Sequence, residues 1–534
     1  MTRSYLGFVP AALAALLLAA PAQAAGELDG LASDAELVEA LTSAPKLKAA
    51  GAYEPADNTV HIDLSEYAGY AGLIVANKGL EPNEESFFFK KHGFKVKITF
   101  SEEDNWSPVN AGELAASAST VDVLPLYGRQ LEAVVPVLIS FSRGADAIVV
   151  RDGIKTVNDL KGKTLATGQF NESDFFIRYM AQQAGLAVNL MPDLKANADP
   201  TKVNLVVCAD SFGAGDLFLR DLKDGRTRVH GCATWEPKTS EVVEGSQGKA
   251  RILVSNRNLL IVADILVVNK GFAERNPAML KGLVDGIMEG NQMVRSDPNS
   301  QIEVVSKAFK WTKDDALAEL AKVHLANGPE NLAFFGGTID SAGSYNYIYE
   351  SAAMAYGSGI IRTAFNGEKF LDLKPLKAIE AEGRFKGQKA DIKPIKTSDG
   401  TAVEEPLLSR DIRFLFQPNS SKLNMEDKKN LDDLAFMARM LQVSPGSTLL
   451  LRGHVDNAKV PDFQKQGGPE LVMKMALKAK QLSKERCQGV LTALTEQNKV
   501  DAARIEIVGM GWEEPLGGDM EQNRRVEVQW ITLE

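Results

Sequence analysis

The sequence predicts an α/β fold followed by a small α+β unit, and three observations carry the prediction. From Thr59 to about Val262, short apolar runs alternate with helical stretches, which implies parallel sheets with helices on both faces. From about Phe272 to Ile361 the pattern turns mainly helical. After a polar break at 383–405, a β-α-β-α-β-β order occupies the rest of the chain.

Length and composition agree with several globular parts. The 534 residues allow about three or four domains at ~150 residues each. With 45% hydrophobic and 24% charged residues, the chain is neither disordered nor collagen-like. A net charge of −10 argues against nucleic acid as a partner, because phosphates require a basic surface. It leaves open a small anion, which needs only a few local donors. Five histidines and three cysteines offer little material for metal or Cys/His chemistry, so no metal and no cofactor is expected.

In chain order, Arg3 supplies a positive n-region, Ala11 to Ala20 an apolar h-region, and Ala22-Gln23-Ala24 an A-x-A cleavage site. Residues 1–24 therefore read as a cleavable signal peptide and 25–56 as an N-terminal extension. The apolar run is shorter than the ~20 residues of a membrane span, so a soluble, exported, periplasmic protein is expected. Strands are expected at Val60–Leu64, Val96–Phe100, Ala147–Val150, Thr164–Ala166, Val203–Cys208 and Arg251–Leu253. Helices fall between them, including Asp174–Ala184 ended by Gly185, and Pro108–Ala116 with Ser107 as its cap. Pro277–Val294, Lys313–Ala326 and Tyr345–Tyr356 form the helical region. Residues 383–405 read as a linker. Beyond it, strands are expected at Ile412–Phe416, Thr448–His454, Arg504–Met510 and Arg525–Ile531, and helices at Met425–Leu441 and about Leu471–Gln497. Cys208 and Cys232 lie in two strand-like stretches, and two readings stay open: a disulfide between neighbouring strands, or two buried thiols.

Several motifs then occur in order: Ile62-Asp63-Leu64-Ser65-Glu66-Tyr67-Ala68-Gly69-Tyr70-Ala71, Ser142-Arg143-Gly144-Ala145-Asp146, and Val157-Asn158-Asp159-Leu160-Lys161-Gly162-Lys163. Gly215-Asp216-Leu217-Phe218 leads to Thr234-Trp235-Glu236-Pro237, and Ala263-Asp264-Ile265-Leu266-Val267-Val268 follows. Together they resemble the solute-binding proteins of ABC importers, in the nitrate/sulfonate/thiamine-precursor branch, over about residues 57–370. The resemblance implies a two-lobed periplasmic-binding-protein fold (type II-like) at 57–382, with the second lobe at about 146–262. It also implies a small-molecule solute in the cleft and an inner-membrane ABC permease as partner.

The candidate cleft residues follow from local chemistry. Thr167, Gln169, Asn171 and Ser173 lie between a strand and a helix start, where hydroxyls, amides and backbone N–H groups meet a small polar ligand, although Asn171 or Ser173 can equally cap the helix. Tyr67, Tyr70, Trp106 and Trp235 offer ring faces, with ordinary core packing as the competing role. Asp210 and Glu236 favour a cation or a hydrogen-bond donor, against the anion-friendly helix N-termini, so the charge of the solute stays open. No H-x-x-H, H-E-x-x-H or Gly-x-Ser-x-Gly occurs, and no enzyme activity or catalytic residue is expected.

Residues 406–534 resemble the OmpA-like peptidoglycan-binding domain through Ser420-Ser421-Lys422-Leu423, Gly453-His454-Val455-Asp456, Leu482-Ser483-Lys484-Glu485-Arg486-Cys487 and Asn523-Arg524-Arg525-Val526-Glu527-Val528. The resemblance implies that Asp456 pairs with the ammonium and Arg486 with the carboxylate of a diaminopimelate stem, with Asn523 and Arg524 supporting the site. It also implies attachment to the wall on the outer-membrane side of a Gram-negative envelope. Helical spacing puts Leu482, Arg486 and Val490 on one face, which keeps Arg486 near an apolar stripe. Val455 and Ala479 stand where the family carries Thr and Asn, and the stretch 458–475 is longer than usual. The expected function is that of a solute-binding component of an importer, tethered to peptidoglycan. Its rival is a wall-anchored sensor or envelope scaffold without transport.

Overall fold

A computed structural model describes residues 36–101, 106–337, 344–361, 363–395, 406–417, 420–517 and 520–532. The signal-peptide expectation and residues 396–405 of the expected linker lie outside the described residues.

Within the described residues, seventeen strands form three sheets. In chain order they are β1 (Thr59–Leu64), β2 (Lys95–Phe100), β3 (Ala116–Thr120), β4 (Ala133–Val134), β5 (Leu138–Ser142), β6 (Asp146–Arg151), β7 (Thr164–Thr167), β8 (Val188–Leu190) and β9 (Val203–Val207). They continue with β10 (Gly231–Trp235), β11 (Ala250–Ser255), β12 (Ala263–Asn269), β13 (Val323–Leu325), β14 (Leu408–Ile412), β15 (Thr448–His454), β16 (Ile505–Gly511) and β17 (Val526–Ile531).

The first lobe is built on the order β13-β5-β12-β3-β1-β2, with β4 beside β12; the second on β11-β6-β10-β7-β9-β8. The fold is thus α/β in two lobes, as the alternating pattern predicts. Strand β1 alternates, with Val60, Ile62 and Leu64 fully buried between the polar Thr59, His61 and Asp63, each apolar side chain worth about 1.5–3 kcal/mol; β7 buries Leu165 and Ala166 between two threonines. The chain crosses between lobes twice, from Ser142 to Asp146 and from Ser255 to Ala263. The crossings are bonded to each other: Asn256 Oδ1 accepts from the Gly144 and Asp146 amides, and Asn256 Nδ2 donates to Asp146 Oδ2 at 2.7 Å. Arg143 Nε donates to the Arg257 carbonyl.

Three expected helices differ. Lys313–Ala326 ends at Leu320, and Val323–Leu325 becomes β13, because pairing with Ser140–Ser142 outweighs helical propensity. The helix expected at Pro108–Ala116 spans Trp106–Ala111, so Ser107 lies inside it; its hydroxyl accepts from the Lys48 amide. Gly112 stops this helix with a φ of +76°, packed on the Ala52 carbonyl, and Ala116 opens β3. The last long helix starts at Val460, with a break at Gly467 and Gly468.

The C-terminal unit carries the third sheet, in the order β14-β17-β15-β16, with helices Lys428–Val443 and Val460–Gln497. Its first strand is Leu408–Ile412, not Ile412–Phe416, because Leu408 pairs with Trp530 and Ile412 with Val526. The unit rests on the second lobe. Val157 donates to the Leu407 carbonyl, Asn158 and Ser409 exchange two bonds at 2.8 Å, and Leu260 donates to the Val443 carbonyl. Residues just before it also lie on the lobes: Asn258 bonds Ile395 both ways, and Ile392 is buried. All three cysteines are free and buried, which settles the Cys208–Cys232 question in favour of thiols.

Candidate functional site

A cavity of about 470 Å³ lies between the lobes. Four aromatics nominated from sequence reach it: Tyr67, Tyr70, Trp106 and Trp235. Tyr67 and Tyr70 meet edge to face at 5.4 Å on the short turns after β1. Trp106 stacks on Tyr127 at 5.2 Å, and Trp235, at the end of β10, leans on Phe212.

The polar candidates divide. Gln169 and Asn171 line the cavity. Asn171 also caps helix Glu172–Gln183 by accepting from the Asp174 amide. Gln169 is turned to the chain itself: its amide accepts from the Leu41 N–H at 2.8 Å and donates to the Leu41 carbonyl at 2.9 Å. Thr167 and Ser173 are buried beside the cavity and are not among its lining residues. Asp210 is not in the cavity either; it caps helix Ser211–Lys223 through the Gly213 amide at 2.6 Å. Glu236 is a second correction: it accepts from Ser240 N and Oγ and from Lys322 Nζ at 3.1 Å, a tie to the first lobe outside the cavity. Both acids sit at helix starts, where free backbone N–H groups draw carboxylates.

Acids not nominated take their place. Asp264 on β12 and Asp146 on β6 both line the cavity and are almost wholly buried. Tyr70 Oη donates to Asp264 Oδ1 at 3.3 Å, and Ser140 Oγ donates to Oδ2 at 2.6 Å. Ser142 Oγ donates to Asp146 Oδ2 at 2.6 Å. Burial holds the Asp264 carboxyl well above the usual range and pushes Asp146 up to about 6 and nearby Asp122 up to about 7. A signal for them was present: each is a charge inside or at the end of an apolar strand run, where an unpaired acid is costly. Phe170, also lining the cavity, holds a φ of +66°, a strained conformation fixed by its N–H bond to Asp174 Oδ2.

The N-terminal extension crosses the cavity mouth. Val38 donates to Val207, Ala209 donates to Glu36, and Glu36 pairs with Arg220, all on the second lobe. Lys48 pairs with Glu113, and Gly51 donates to Asn110, on the first lobe. Between these anchors Val38, Glu39, Leu41 and Pro45 line the cavity.

The C-terminal unit has its own hollow of about 280 Å³, whose walls include Phe416, Gly453, Ser483, Arg486 and Arg524. The Arg486 guanidinium lies over Phe416 at 5.3 Å, its Nε is buried without a hydrogen-bond partner, and burial draws its pKa down. Leu482 is exposed; the buried face is Ser483, Cys487, Val490 and Leu494, and Arg486 lies next to it. Asp456 pairs with Arg524 at 2.7 Å and accepts from the Ala458 amide; although burial acts upward, these bonds hold its carboxyl below the usual range. Asn523 is buried and accepts from the Leu516 amide at 2.6 Å, so it fixes the loop. His454, Glu514 and Glu527 lie close enough to share a metal ion, but Arg452 already bonds both glutamates. Ala479 is buried beside Gly511.

Residues 83–301 match the family model described as NMT1/THI5 like, and residues 415–529 match the OmpA family model. Each match covers less than half of the chain, and the two lie in succession along it, separated by residues 302–414. Outer membrane protein Omp38 of Acinetobacter baumannii is 23% identical over 270 residues, covering 46% of this chain and 70% of that protein. Omp38 of a second strain is 27% identical over 124 residues, and the match spans 30% of its length and 22% of this chain. Among solved structures, the periplasmic aliphatic sulphonate binding protein SsuA from Escherichia coli is similar at 15% identity, with a TM-score of 0.41, covering 70% of this chain and all (100%) of that one. The nitrate-binding protein NrtA from Synechocystis PCC 6803 is similar at 15% identity, with a TM-score of 0.36, covering 50% of this chain and 70% of that one. No helix among the described residues is long and apolar enough to cross a membrane.

Proposed function

We propose that the protein is a periplasmic solute-binding component of an ABC-type importer, tethered to peptidoglycan by its OmpA-family region. The observation that carries this reading is the interlobe cavity of about 470 Å³, walled by aromatic and polar side chains from both lobes. The two bonded crossings serve as a hinge, and closure around a solute brings the lobe faces together for an inner-membrane partner. No covalent step is needed, and the protein is read as a binding protein, not an enzyme.

Arg486, in the wall of the C-terminal hollow, offers two parallel N–H donors to a stem carboxylate, and Asp456, outside its lining but bonded to the lining residue Arg524, offers a fixed acid to the ammonium. Arg524 occupies that acid at 2.7 Å and yields it to the stem. The test is co-sedimentation with purified sacculi. Arg486→Ala and Asp456→Ala are each expected to lose about tenfold or more in binding, the scale of a removed charge-assisted bond. Undiminished sedimentation of the double variant would sink the tether.

A wall-anchored sensor or scaffold is the second reading. It is favoured by the docking of the C-terminal unit on the second lobe through Leu407, Ser409 and Val443, which occupies lobe surface. Permease and ATPase genes beside this one support import; their absence favours the sensor.

A further inference from the structure

We propose that the interlobe cavity takes an organic cation, an amine or quaternary ammonium compound, held by Asp264, Asp146 and Glu172 among the aromatic rings. This rests on reading the cavity as a solute site and adds the charge of the solute.

The first observation is the sign of the wall. Five acidic side chains line the cavity, Glu39, Glu66, Asp146, Glu172 and Asp264, and none of the lining residues is Lys, Arg or His. Arg178, a buried cation of the second lobe outside the cavity lining, pairs through Nε with Asp174 at 2.6 Å and lies over Tyr356. An anion would meet no cation in the lining, whereas an entering cation would favour the ionised form of these acids.

The second observation concerns the helix start that normally welcomes anions. The N-terminus of helix Glu172–Gln183 reaches the cavity, but Asn171 accepts from the Asp174 amide, Asp174 accepts from the Phe170 amide, and Glu172 adds a charge in the first turn. The positive end is already offset from within the chain.

The third observation points to an organic ligand over a bare metal ion. Among the described residues, the cavity acids do not converge within metal-ligating distance; the one such group is His454, Glu514 and Glu527 in the other region. Spread carboxylates in about 470 Å³, with Tyr67, Trp106 and Trp235 on the walls, suit a bulky charge that rings can face. Thr120 Oγ1 is buried and lines the cavity, so its lone pairs can accept from an N–H group of the ligand.

The experiment titrates the full chain with choline, putrescine and spermidine, and with nitrate and ethanesulfonate, by calorimetry and by Trp fluorescence. At least one cation is expected to bind, with affinity falling about tenfold or more in Asp264→Asn, a change that keeps the side-chain shape. Glu172→Gln, on a half-exposed helix start, gives the same reading should Asp264→Asn fold poorly. Binding of nitrate or ethanesulfonate with a Trp signal, and of no cation, would overturn the charge assignment and leave the solute-site reading standing. Binding of no probe of either sign would overturn both.

Discussion

The side-chain amide of Gln169 and the backbone of Leu41, 128 positions apart, are bonded in both directions at 2.8 and 2.9 Å. A residue whose chemistry suits a ligand thus fastens the chain's own N-terminal extension over the cavity mouth. Because that extension is anchored on both lobes, Gln169 acts on how the cavity opens.

Gln169→Ala removes two hydrogen bonds, about 1 kcal/mol each. Hydrogen exchange at the Leu41 amide is therefore expected to quicken by about tenfold or more, while β1 and β12 stay protected. Unchanged exchange at Leu41 would show that the anchors on Val207 and Asn110 suffice.

Glu236 bridges lobes through Lys322 and secures Ser240 at a helix start. Glu236→Ala is expected to lower the stability of the two-lobed region by about 1–2 kcal/mol, the scale of a cap plus a half-buried ion pair. The check is chemical denaturation followed by Trp fluorescence. A loss of probe affinity with unchanged stability would return Glu236 to the binding site.

Buried acids in and beside the cavity set a pH dependence. The Asp146 and Asp122 carboxyls, raised by burial to about 6 and about 7, bind protons in the folded state at pH values where the unfolded chain has released them. Their stabilising contribution is full below the unfolded pKa of about 3.9 and is lost as pH rises through about 6 to 7. His61 and His230, lowered by burial, act in the opposite sense. The melting temperature of Asp146→Asn minus that of the wild type is therefore expected to grow from about pH 5 to about pH 8. A flat difference would contradict the burial of a charged Asp146.

Gly453 of β15 packs directly on the helix that carries Arg486: an added Cβ would lie 2.3 Å from the Ser483 carbonyl oxygen. Gly453→Ala is expected to cost about 1–3 kcal/mol, as overpacking does, and to weaken sacculus binding by shifting Arg486. Calorimetric melting together with sedimentation reads both. An unchanged melting temperature would mean that the helix moves away without cost.

Much of the architecture was legible because it rests on local patterns. Short strand-length runs announced β1, β7 and β9, and Gly185 marked the end of one helix, while the choice between Asn171 and Ser173 as its cap was decided by the fold in favour of Asn171. The exceptions share a cause. Val323–Leu325 reads as helix until Ser140–Ser142 is available to pair with it. Leu482 reads as buried until Ser483, Cys487 and Val490 take the inner face. In both, a partner distant in sequence decides the outcome.

By itself, the sequence determined the α/β and α+β classes, the order of the elements and the aromatic set Tyr67, Tyr70, Trp106 and Trp235; it named Asp456 and Arg486 together, whereas the folded chain bonds Asp456 to Arg524. Periodicity and motifs reach that far because they depend on neighbours along the chain. Only the tertiary structure decided which acids face the cavity. It drew Asp210 and Glu236 to helix starts, where backbone N–H groups bind them, and turned Asp146 and Asp264 inward from strands of opposite lobes. The sign of a cleft is a sum over side chains far apart in sequence, and it exists only once the lobes are folded against each other.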